Sequence, residues 1–174
     1  SNRYPCKALD LNKSQNSMIL GEAAACFLLS KENKNSLAKI TGYGSAIERL
    51  ETATSVTATG DCLQESMRQA IQHIRPEDVD AIITHAPGTI KGDKAEFVAI
   101  QNVFGGQYPH LCNNKWQLGH TLGASGALNL VMAIEMLQSE RIFKIPYLEE
   151  LFVNPRGGDR IPKRILINTT GFGG

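Results

Sequence analysis

The sequence predicts an α/β domain with a mixed, mostly parallel sheet and packed helices. Three observations support this fold class. Short apolar runs bounded by turn residues indicate strands, runs with apolar residues at helical spacing indicate helices, and the two kinds alternate along most of the chain. Strands that are joined through helices usually pair in parallel. The 174 residues are enough for one domain with a sizeable core, so 1–174 is predicted to be a single domain.

The first two elements are predicted strands. The run AAACFLLS (23–30) lies between Gly21 and a polar cluster, and an apolar run of this length suits a buried strand. The run LAKITGYGSA (37–46) predicts a second strand, in which the glycines bend the chain or let another element approach closely. Cys26 in the first run, like Cys112 near a later strand, is expected to be a buried structural thiol.

The first helix and the next strand follow a loop rich in threonine and serine. Asp61 is predicted to be the N-cap of a helix through CLQESMRQAIQHI (62–74), whose apolar residues recur at helical spacing. Pro76 is predicted to end this helix. The strand AIIT (81–84) then leads directly into His85.

Two more helices and two more strands complete the predicted order. Asp93 is predicted to begin the second helix, which the glycines at 105–106 end. A short strand is predicted around Leu111, and a third helix at 119–137. A last strand at 164–170 leads into a glycine turn.

Composition and charge exclude several classes of function. Eighteen Lys and Arg residues balance seventeen Asp and Glu residues, so we expect neither a nucleic-acid binder nor a membrane-surface binder. The basic stretch 155–164 is interpreted as a solvated loop. The four cysteines show no metal-ligand spacing, which predicts no metal site and favours a reducing compartment. The first residues lack the apolar core of a signal peptide, and 128–137 is too short to span a bilayer, so we expect a cytoplasmic protein.

The candidate site lies where three predicted strands end. In α/β sheets, functional groups collect beyond the carboxyl ends of strands. Three places in the sequence fit this rule: His85, the pair Lys115 and His120, and the glycine turn at 171–174. If these strands are neighbours, two imidazoles, an ammonium and a glycine turn meet at one edge of the sheet.

Two acids and a set of small residues accompany these groups. Asp93 and Glu96 lie on the first turn of the helix that follows His85, and we expect them to pair with Lys115. The small residues at 119–127 are expected to let their helix pack deeply and to bury His120 at its tip. Each feature alone also has a structural interpretation, because histidines after strands and single lysines commonly have no catalytic role. The joint arrangement favours a functional site.

Four segments carry a resemblance to a known family: LGEAAACFLL (20–29), HAPGTIKGDKAE (85–96), NKWQLGHTLGASG (114–126) and GFGG (171–174). In this order they resemble the C-terminal half of the β-ketoacyl-acyl-carrier-protein synthases, the condensing enzymes of the thiolase superfamily. The resemblance extends over essentially the whole chain. It implies one half, the C-terminal one, of a thiolase-like fold.

The resemblance also implies roles for individual residues. Matched by position, the catalytic residues are His85, His120 and Lys115, the supporting residues are Asp93, Glu96 and Phe172, and Thr89 lies near the path of the substrate's pantetheine arm. No metal or cofactor is implied, since the substrates are carried on the phosphopantetheine of an acyl carrier protein, which is the implied partner.

The implied reaction is a decarboxylative Claisen condensation of acyl and malonyl thioesters, in fatty-acid or polyketide-type biosynthesis. Decarboxylation places negative charge on a thioester oxygen, and two neutral imidazole N–H groups aimed at that oxygen form an oxyanion hole. The start of a helix beside His120 is expected to help keep this ring neutral. The family's nucleophilic cysteine lies in the N-terminal half, so the complete protein is expected to be an acyltransferase and this chain alone to be inactive.

Departures from the family's motifs leave a second hypothesis open. Ala86 and Pro87 replace the usual Gly and Thr after the first histidine, and the bulk of Trp116 is expected to narrow the acyl pocket. The alternative is a non-catalytic partner subunit similar to a chain-length factor. In either case, an N-terminal half or a partner chain is needed, and the complete protein is expected to form a homo- or heterodimer.

Overall fold

The computed structural model describes residues 3–32, 34–48 and 56–171. Within these ranges the chain forms five α-helices and three β-strands, separated by loops and two single 3-10 turns at Pro76–Asp78 and Leu122–Ala124. The helices are α1 (Asp61–Ala70), α2 (Ile90–Phe104), α3 (Lys115–Leu118), α4 (Ser125–Gln138) and α5 (Glu150–Val153). The strands are β1 (Ala81–Ile83), β2 (His110–Cys112) and β3 (Ile165–Ile167).

The three strands form one parallel sheet in the order β2-β1-β3. Ala81 of β1 pairs with His110 on one side and with Ile165 on the other, so the three strands are in step. Their carboxyl ends consequently lie at the same edge of the sheet. The predicted α/β fold with a largely parallel sheet is confirmed for the described residues.

Helices cover both faces of the central strand β1. On one face, Ile82 packs into a large apolar cluster with residues of α1, α2 and α5. On the other face, Ala81 and Ile83 pack against Ala133 and Met136 of α4. All three residues of β1 are fully buried, and burial of one isoleucine side chain contributes about 1.5–3 kcal/mol. The sheet is therefore rigidly held at the point where the site begins.

The two predicted strands at 23–30 and 37–46 are wrong in the structure. Neither segment joins the sheet, and most of their large apolar side chains are exposed, Leu28 to 97%. An apolar run becomes a buried strand only where a neighbouring strand and a packing layer cover it, and the described part of the chain pairs no strand with either segment. Cys26 is accordingly exposed instead of buried, whereas Cys112 is fully buried as predicted.

The glycines of the second segment allow a close approach, as the sequence suggests. A Cβ atom at Gly42 would collide with the carbonyl oxygen of Ala70, and one at Gly44 with that of Ser66. The two glycines are two residues apart on their segment, and the two residues that they meet are four apart on α1. The segment therefore runs directly over the helix backbone. Only glycine permits this contact.

The first helix differs from its prediction at both ends. Gly60, with φ 59°, is the N-cap, and the predicted cap Asp61 is the first helical residue. A more distant carboxylate completes the cap, because Glu48 accepts a 2.8 Å hydrogen bond from the backbone N–H of Cys62. The helix ends at Ala70, and Pro76 begins a 3-10 turn instead of ending the helix.

The later helices also have different starts. Helix α2 begins three residues before the predicted Asp93, because the Thr89 side chain caps it by accepting the N–H of Gly92. Its end at Gly105 agrees with the prediction. In place of the predicted helix at 119–137 the structure has a 3-10 turn and α4, which starts at Ser125, and the separate short helix α3 precedes them. Gly119, with φ 72°, makes this division, since such a backbone conformation ends α3.

Phe172 and the two glycines after it in the predicted turn lie outside the described residues. Among the residues that are described, no helix is long and apolar enough to cross a bilayer.

Candidate active site

The two histidines singled out in the sequence lie side by side beyond the carboxyl ends of the strands. His85 follows β1 by two residues, and its ring centroid lies 5.1 Å from that of His120, with an angle of 81° between the ring planes. The predicted convergence of the two imidazoles is therefore observed. His85 is buried, whereas His120 is half-buried.

A backbone bridge brings His120 to this place. The N–H of His120 donates to the carbonyl of Ile19 at 2.7 Å, and the carbonyl of His120 accepts the N–H of Gly21 at 3.1 Å. A Cβ atom at Gly21 would collide with the carbonyl of Leu118, so a glycine is needed here for the close approach.

The expectation that small residues bury His120 at a helix tip is wrong. Gly123 is exposed, and a Cβ atom added to it would have no atom within 4 Å, while one at Gly126 would make only ordinary contact with Thr169. The turn at Gly119 and the bridge to residues 19–21 position His120 instead.

Backbone donors fix the tautomer of both rings. The N–H of Thr170, beyond β3, donates to Nδ1 of His85 at 3.3 Å. The N–H of Leu122 donates to Nδ1 of His120 at 3.2 Å. A ring nitrogen that accepts a hydrogen bond bears no proton, so in each neutral ring the proton is on Nε2. Both imidazoles therefore have an Nε2–H available as a donor.

Burial and neighbouring charge keep these rings neutral. Burial lowers the pKa of His85 to about 3, with further contributions from the positive charges of Lys115 and His120. The pKa of His120 is also lowered, first by burial and then by Lys115. At neutral pH both rings are uncharged hydrogen-bond donors.

Glu96 holds the backbone at His85. Its carboxylate accepts the N–H groups of His85 at 2.9 Å and Ala86 at 2.6 Å, together with the side-chain amide of Asn168 at 3.0 Å. Burial raises the pKa of Glu96, while these donors and the charge of Lys115 act in the opposite direction. Because the carboxylate joins α2, β3 and the loop after β1, it fixes the place where His85 leaves the sheet.

Asp93 has a cationic partner that the sequence did not indicate. Its side chain is fully buried and forms a 2.7 Å ion pair with Lys13, whose side chain is 5% exposed. The same carboxylate accepts the N–H of Leu9 at 2.8 Å and that of Gly88 at 3.0 Å. Asp93 therefore connects α2 to the loop after His85 and to the start of the chain.

The expected pairing of Asp93 and Glu96 with Lys115 is wrong. Lys115 is 1% exposed, and its ammonium has no hydrogen-bond partner among the described residues, because backbone amides, Lys13 and Asn168 already occupy the two carboxylates. Burial lowers the pKa of Lys115 to about 8, and the negative charges of Glu96 and Asp93 act against this shift. The acids therefore influence Lys115 through their field and not through direct bonds.

Asn113 sets the direction in which Lys115 leaves β2. Its side-chain oxygen accepts the N–H of Lys115 at 2.8 Å, and its amide donates to Thr84 and to the carbonyl of Ala86. One buried asparagine thus joins the ends of β1 and β2. Lys115 itself is buried, so it is not a surface lysine.

Four contributing residues were missed in the sequence: Lys13, Asn113, Asn168 and Thr170. Asn113 and Asn168 left a detectable signal, since asparagine is disfavoured in strands and both directly follow strand segments. Lys13 and the backbone of Thr170 left none, because their contacts are formed between residues more than 70 positions apart.

The geometry assigns Thr89 a structural role as the N-cap of α2. Two open cavities lie elsewhere. One, of about 370 Å³, lies beside His110, and the other, of about 570 Å³, lies beside Trp116 and Phe143. Neither is lined by His85 or His120. In the described residues, no group of three or more His, Cys, Asp or Glu side chains is arranged to hold a metal ion.

The parallel sheet, with two donor imidazoles and a buried lysine beyond its carboxyl edge, has the arrangement that the motif resemblance implies. The family described as "Beta-ketoacyl synthase, C-terminal domain" matches residues 37–148, which is more than half of the chain. The chain therefore belongs to the β-ketoacyl synthase family, and the resemblance read from its motifs is confirmed.

Curated relatives agree with this assignment. The chain is 31% identical over 185 residues to 3-oxoacyl-[acyl-carrier-protein] synthase 2 of Coxiella burnetii, covering 94% of this chain and 43% of that protein. It is 28% identical over 182 residues to a 3-oxoacyl-[acyl-carrier-protein] synthase homolog of Saccharomyces cerevisiae, covering 90% of this chain and 41% of that protein. The chain spans about two fifths of the length of these relatives.

Solved structures confirm the thiolase-like fold. A β-ketoacyl synthase from Burkholderia phymatum is similar with a TM-score of 0.66 and 28% identity, over 79% of this chain and 35% of that one. The ishigamide ketosynthase/chain length factor has a TM-score of 0.68 at 23% identity, over 92% and 40% of the two chains. A structure of a type II polyketide acyl carrier protein in complex with its ketosynthase has a TM-score of 0.65 at 24% identity, over 79% of this chain and 36% of that one. The last two likenesses, below 25% identity, show the fold alone.

Proposed function

We propose that this chain is the C-terminal domain of a 3-oxoacyl-acyl-carrier-protein synthase and supplies the His85, Lys115 and His120 part of its active site. The complete protein catalyses the decarboxylative condensation of acyl and malonyl thioesters. The observation that supports this most strongly is the pair of neutral imidazoles, 5.1 Å apart, in which both Nδ1 atoms accept backbone N–H groups. Their Nε2–H groups are left to donate to a substrate.

The two donors suit the step in which malonyl thioester loses carbon dioxide. As the carboxylate leaves, the electron pair of the broken C–C bond moves toward the thioester carbonyl, and its oxygen becomes negative. Two N–H donors fixed before the reaction stabilise that charge without reorganisation, and one such donor typically contributes about 10²–10³-fold in rate. A protonated imidazole would instead surrender its proton to the enolate oxygen and quench the carbanion, so neutrality at both rings is required.

Lys115 contributes its positive charge to the same site. Its ammonium is buried and forms no direct bond within the described chain, so its field acts on the histidines and on any anion that forms beside them. This charge lowers the pKa of both imidazoles. We assign Lys115 to the site as an electrostatic residue that helps keep the rings unprotonated.

The acyl-accepting cysteine comes from another part of the complete protein or from a partner chain. Burial raises the pKa of Cys6 and of Cys112, and burial together with Glu48 raises that of Cys62 to about 11. These thiols are poor nucleophiles at neutral pH. Cys26 is exposed on a segment without regular structure, away from any strand-to-helix turn.

The remaining features of the proposal follow from this chemistry. The substrates arrive on the phosphopantetheine of an acyl carrier protein, and no other cofactor takes part. The exposed apolar side chains of Leu28, Tyr43 and Ile47 are covered in the complete protein by the rest of a homo- or heterodimer. We extend the domain beyond the matched segment to 1–174, because residues 6–21 and 165–170 contact the site.

The test measures the two half-reactions separately in the complete protein. His85→Ala and His120→Ala should each lower decarboxylation of malonyl-acyl-carrier protein by about 10²-fold or more, while the transfer of an acyl group to the cysteine continues. His73→Ala is the matched control, since His73 is exposed just beyond the end of α1 and takes no part in the pair. Loss of acyl transfer with decarboxylation intact would refute the assignment.

A second candidate is a non-catalytic partner similar to a chain-length factor. It is favoured by the Ala86-Pro87 departure from the family's motif. In that case the native protein would neither accept an acyl group nor decarboxylate malonyl thioester by itself. It would instead change the product length of a separate synthase when the two are mixed.

A further inference from the structure

An N-terminal stretch that lies outside the matched family segment holds the loop after His85. We call residues 6–18 the clamp segment and residues 86–90 the His85 loop. The ion pair between Lys13 and Asp93 is the centre of their contact, and Lys13 also donates to the carbonyl of Asp10 within the clamp segment. The flanking contacts are Leu9 N–H to Asp93, Gly88 N–H to Asp93, Ser17 Oγ to the Gly88 carbonyl and Ile90 N–H to the Asn16 side chain.

The Asp93 carboxylate is the point at which three elements meet. It lies on α2, and its two oxygens accept N–H groups from the clamp segment and from the His85 loop. Lys13 supplies the only cation hydrogen-bonded to it in the described chain. These acceptor contacts favour an ionised carboxylate, because protonation turns one acceptor position into a donor and weakens the hydrogen bonds that the group accepts.

We propose that Lys13 is a positioning residue of the active site: its ammonium keeps Asp93 ionised, and ionised Asp93 holds the His85 loop against α2 and the clamp segment. This inference rests on the proposed function only where malonyl decarboxylation is used to test it. Lys13 touches neither histidine in this arrangement, and it acts through Asp93 on the backbone that follows His85.

The physical argument is the cost of an unpaired buried carboxylate. Asp93 is fully buried, and removing one partner of a buried ion pair leaves an uncompensated charge that is strongly destabilising. Without Lys13 the carboxylate avoids this cost by taking up a proton. Gly88 or Leu9 then loses its acceptor, and the His85 loop is released.

The direction of the pH effect follows from the groups that face Asp93. These are Lys13 from the clamp segment, Lys115 from α3, the Cys6 thiol and the Tyr147 hydroxyl. Burial raises the pKa of Asp93, and Lys13 acts against this effect. When Lys13 is removed, the pKa of Asp93 rises further, so the loop is held at high pH and released at lower pH.

The experiment compares Lys13→Met with Lys13→Arg in the complete protein. In Lys13→Met we expect malonyl decarboxylation to fall about 10- to 100-fold on the acid side of neutrality, since a displacement of about 1 Å has an effect of this size, and to recover as the pH rises. Lys13→Arg should keep the wild-type profile. Lys7→Met is the matched control, because Lys7 lies on the same segment but over the ring of Tyr147.

Two further measurements separate this role from simple destabilisation. The ¹³Cγ resonance of Asp93 should titrate at higher pH in Lys13→Met than in the wild type, whether or not the protein condenses anything. Lys13→Met/Asp93→Asn should be no slower than Asp93→Asn alone, because the two residues act as one unit. The inference would be overturned if Lys13→Met lowered decarboxylation equally at every pH, or if it left the titration of Asp93 unchanged. It would also be overturned if the losses of activity in Lys13→Met and Asp93→Asn added up in the double variant. Normal decarboxylation in His85→Ala would overturn the proposed function and leave the Asp93 titration standing.

Discussion

Glu96→Gln is the substitution that tests most directly how His85 is held. Gln has the same shape as Glu, but it has one acceptor oxygen and a donor NH₂ group in place of two acceptors. Oxygen Oε1 of Glu96 accepts two of the three hydrogen bonds, from His85 N–H and the Asn168 side chain, and Oε2 accepts the third, from Ala86 N–H. The best orientation of Gln keeps the first two bonds and turns its NH₂ group toward Ala86.

The magnitude follows from those contacts. One buried N–H donor left without an acceptor costs about 1–3 kcal/mol, and each of the two remaining bonds loses about 1 kcal/mol when its acceptor is no longer charged. Relief of the buried charge offsets part of this loss. We expect Glu96→Gln to lower the free energy of unfolding by about 3 kcal/mol.

The assay is urea denaturation of the complete protein, and the transition is followed by the fluorescence of Trp116. Glu135→Gln is the control, because Glu135 is exposed on α4 and its carboxylate accepts no hydrogen bond from the residues that the structure describes. We expect the control to stay within about 0.5 kcal/mol of the wild type. If Glu96→Gln also stays within that range, the carboxylate does not hold the His85 backbone, and its assigned role at the site is refuted.

Three further predictions concern acid stability and packing in the complete protein. The pKa values of His85 and His110 are lowered from 6.5 to about 3 and about 4, respectively, so both histidines take up a proton more readily in the unfolded state. For each histidine, the free energy of unfolding should therefore fall by about 1.4 kcal/mol per pH unit as the pH drops from 6.5 toward 4. His110→Gln should reduce that slope in an acid titration. Gly42→Ala should lower the free energy of unfolding by about 1–3 kcal/mol, as measured in a thermal melt, because the added Cβ atom meets an α1 carbonyl. Gly106→Ala, with open space around the added atom, should leave it unchanged. Leu28→Asp should destabilise by about 1.5–3 kcal/mol if the rest of the protein covers this residue, and an unchanged melting temperature would mean that its 97% exposure persists.

Local and periodic features of the fold were predictable from the sequence. The strand at Ala81–Ile83, the end of α2 at Gly105 and the placement of His85 directly after a strand depend on neighbouring residues only. The features that were wrong depend on contacts between distant residues. The run 23–30 has the composition of a buried strand, but burial requires a covering layer that the sequence pattern does not specify.

The same distinction applies to the site. The meeting of His85 and His120 followed from the rule on strand ends, because β1 and β2 are neighbours in the sheet. The partner of Asp93 did not follow, since Lys13 is 80 residues away and has no motif around it. The position of both acids on the helix after His85 suggested Lys115 as their partner, but other donors occupy the oxygens of each acid.

The donor half of the site is built entirely from contacts within this chain. Thr170 and Leu122 orient the rings, and Glu96 and Asp93 fix the loop after His85, through hydrogen bonds among the described residues. The proposed acyl-transfer step has different requirements, and the described thiols with shifted pKa values are all shifted upward. Decarboxylation needs only a fixed pair of neutral donors, whereas acyl transfer needs a thiolate. We therefore expect the substrate-activating geometry to be preserved even in a protein whose acyl-accepting cysteine has been replaced, and decarboxylation without condensation is the activity that such a protein would retain.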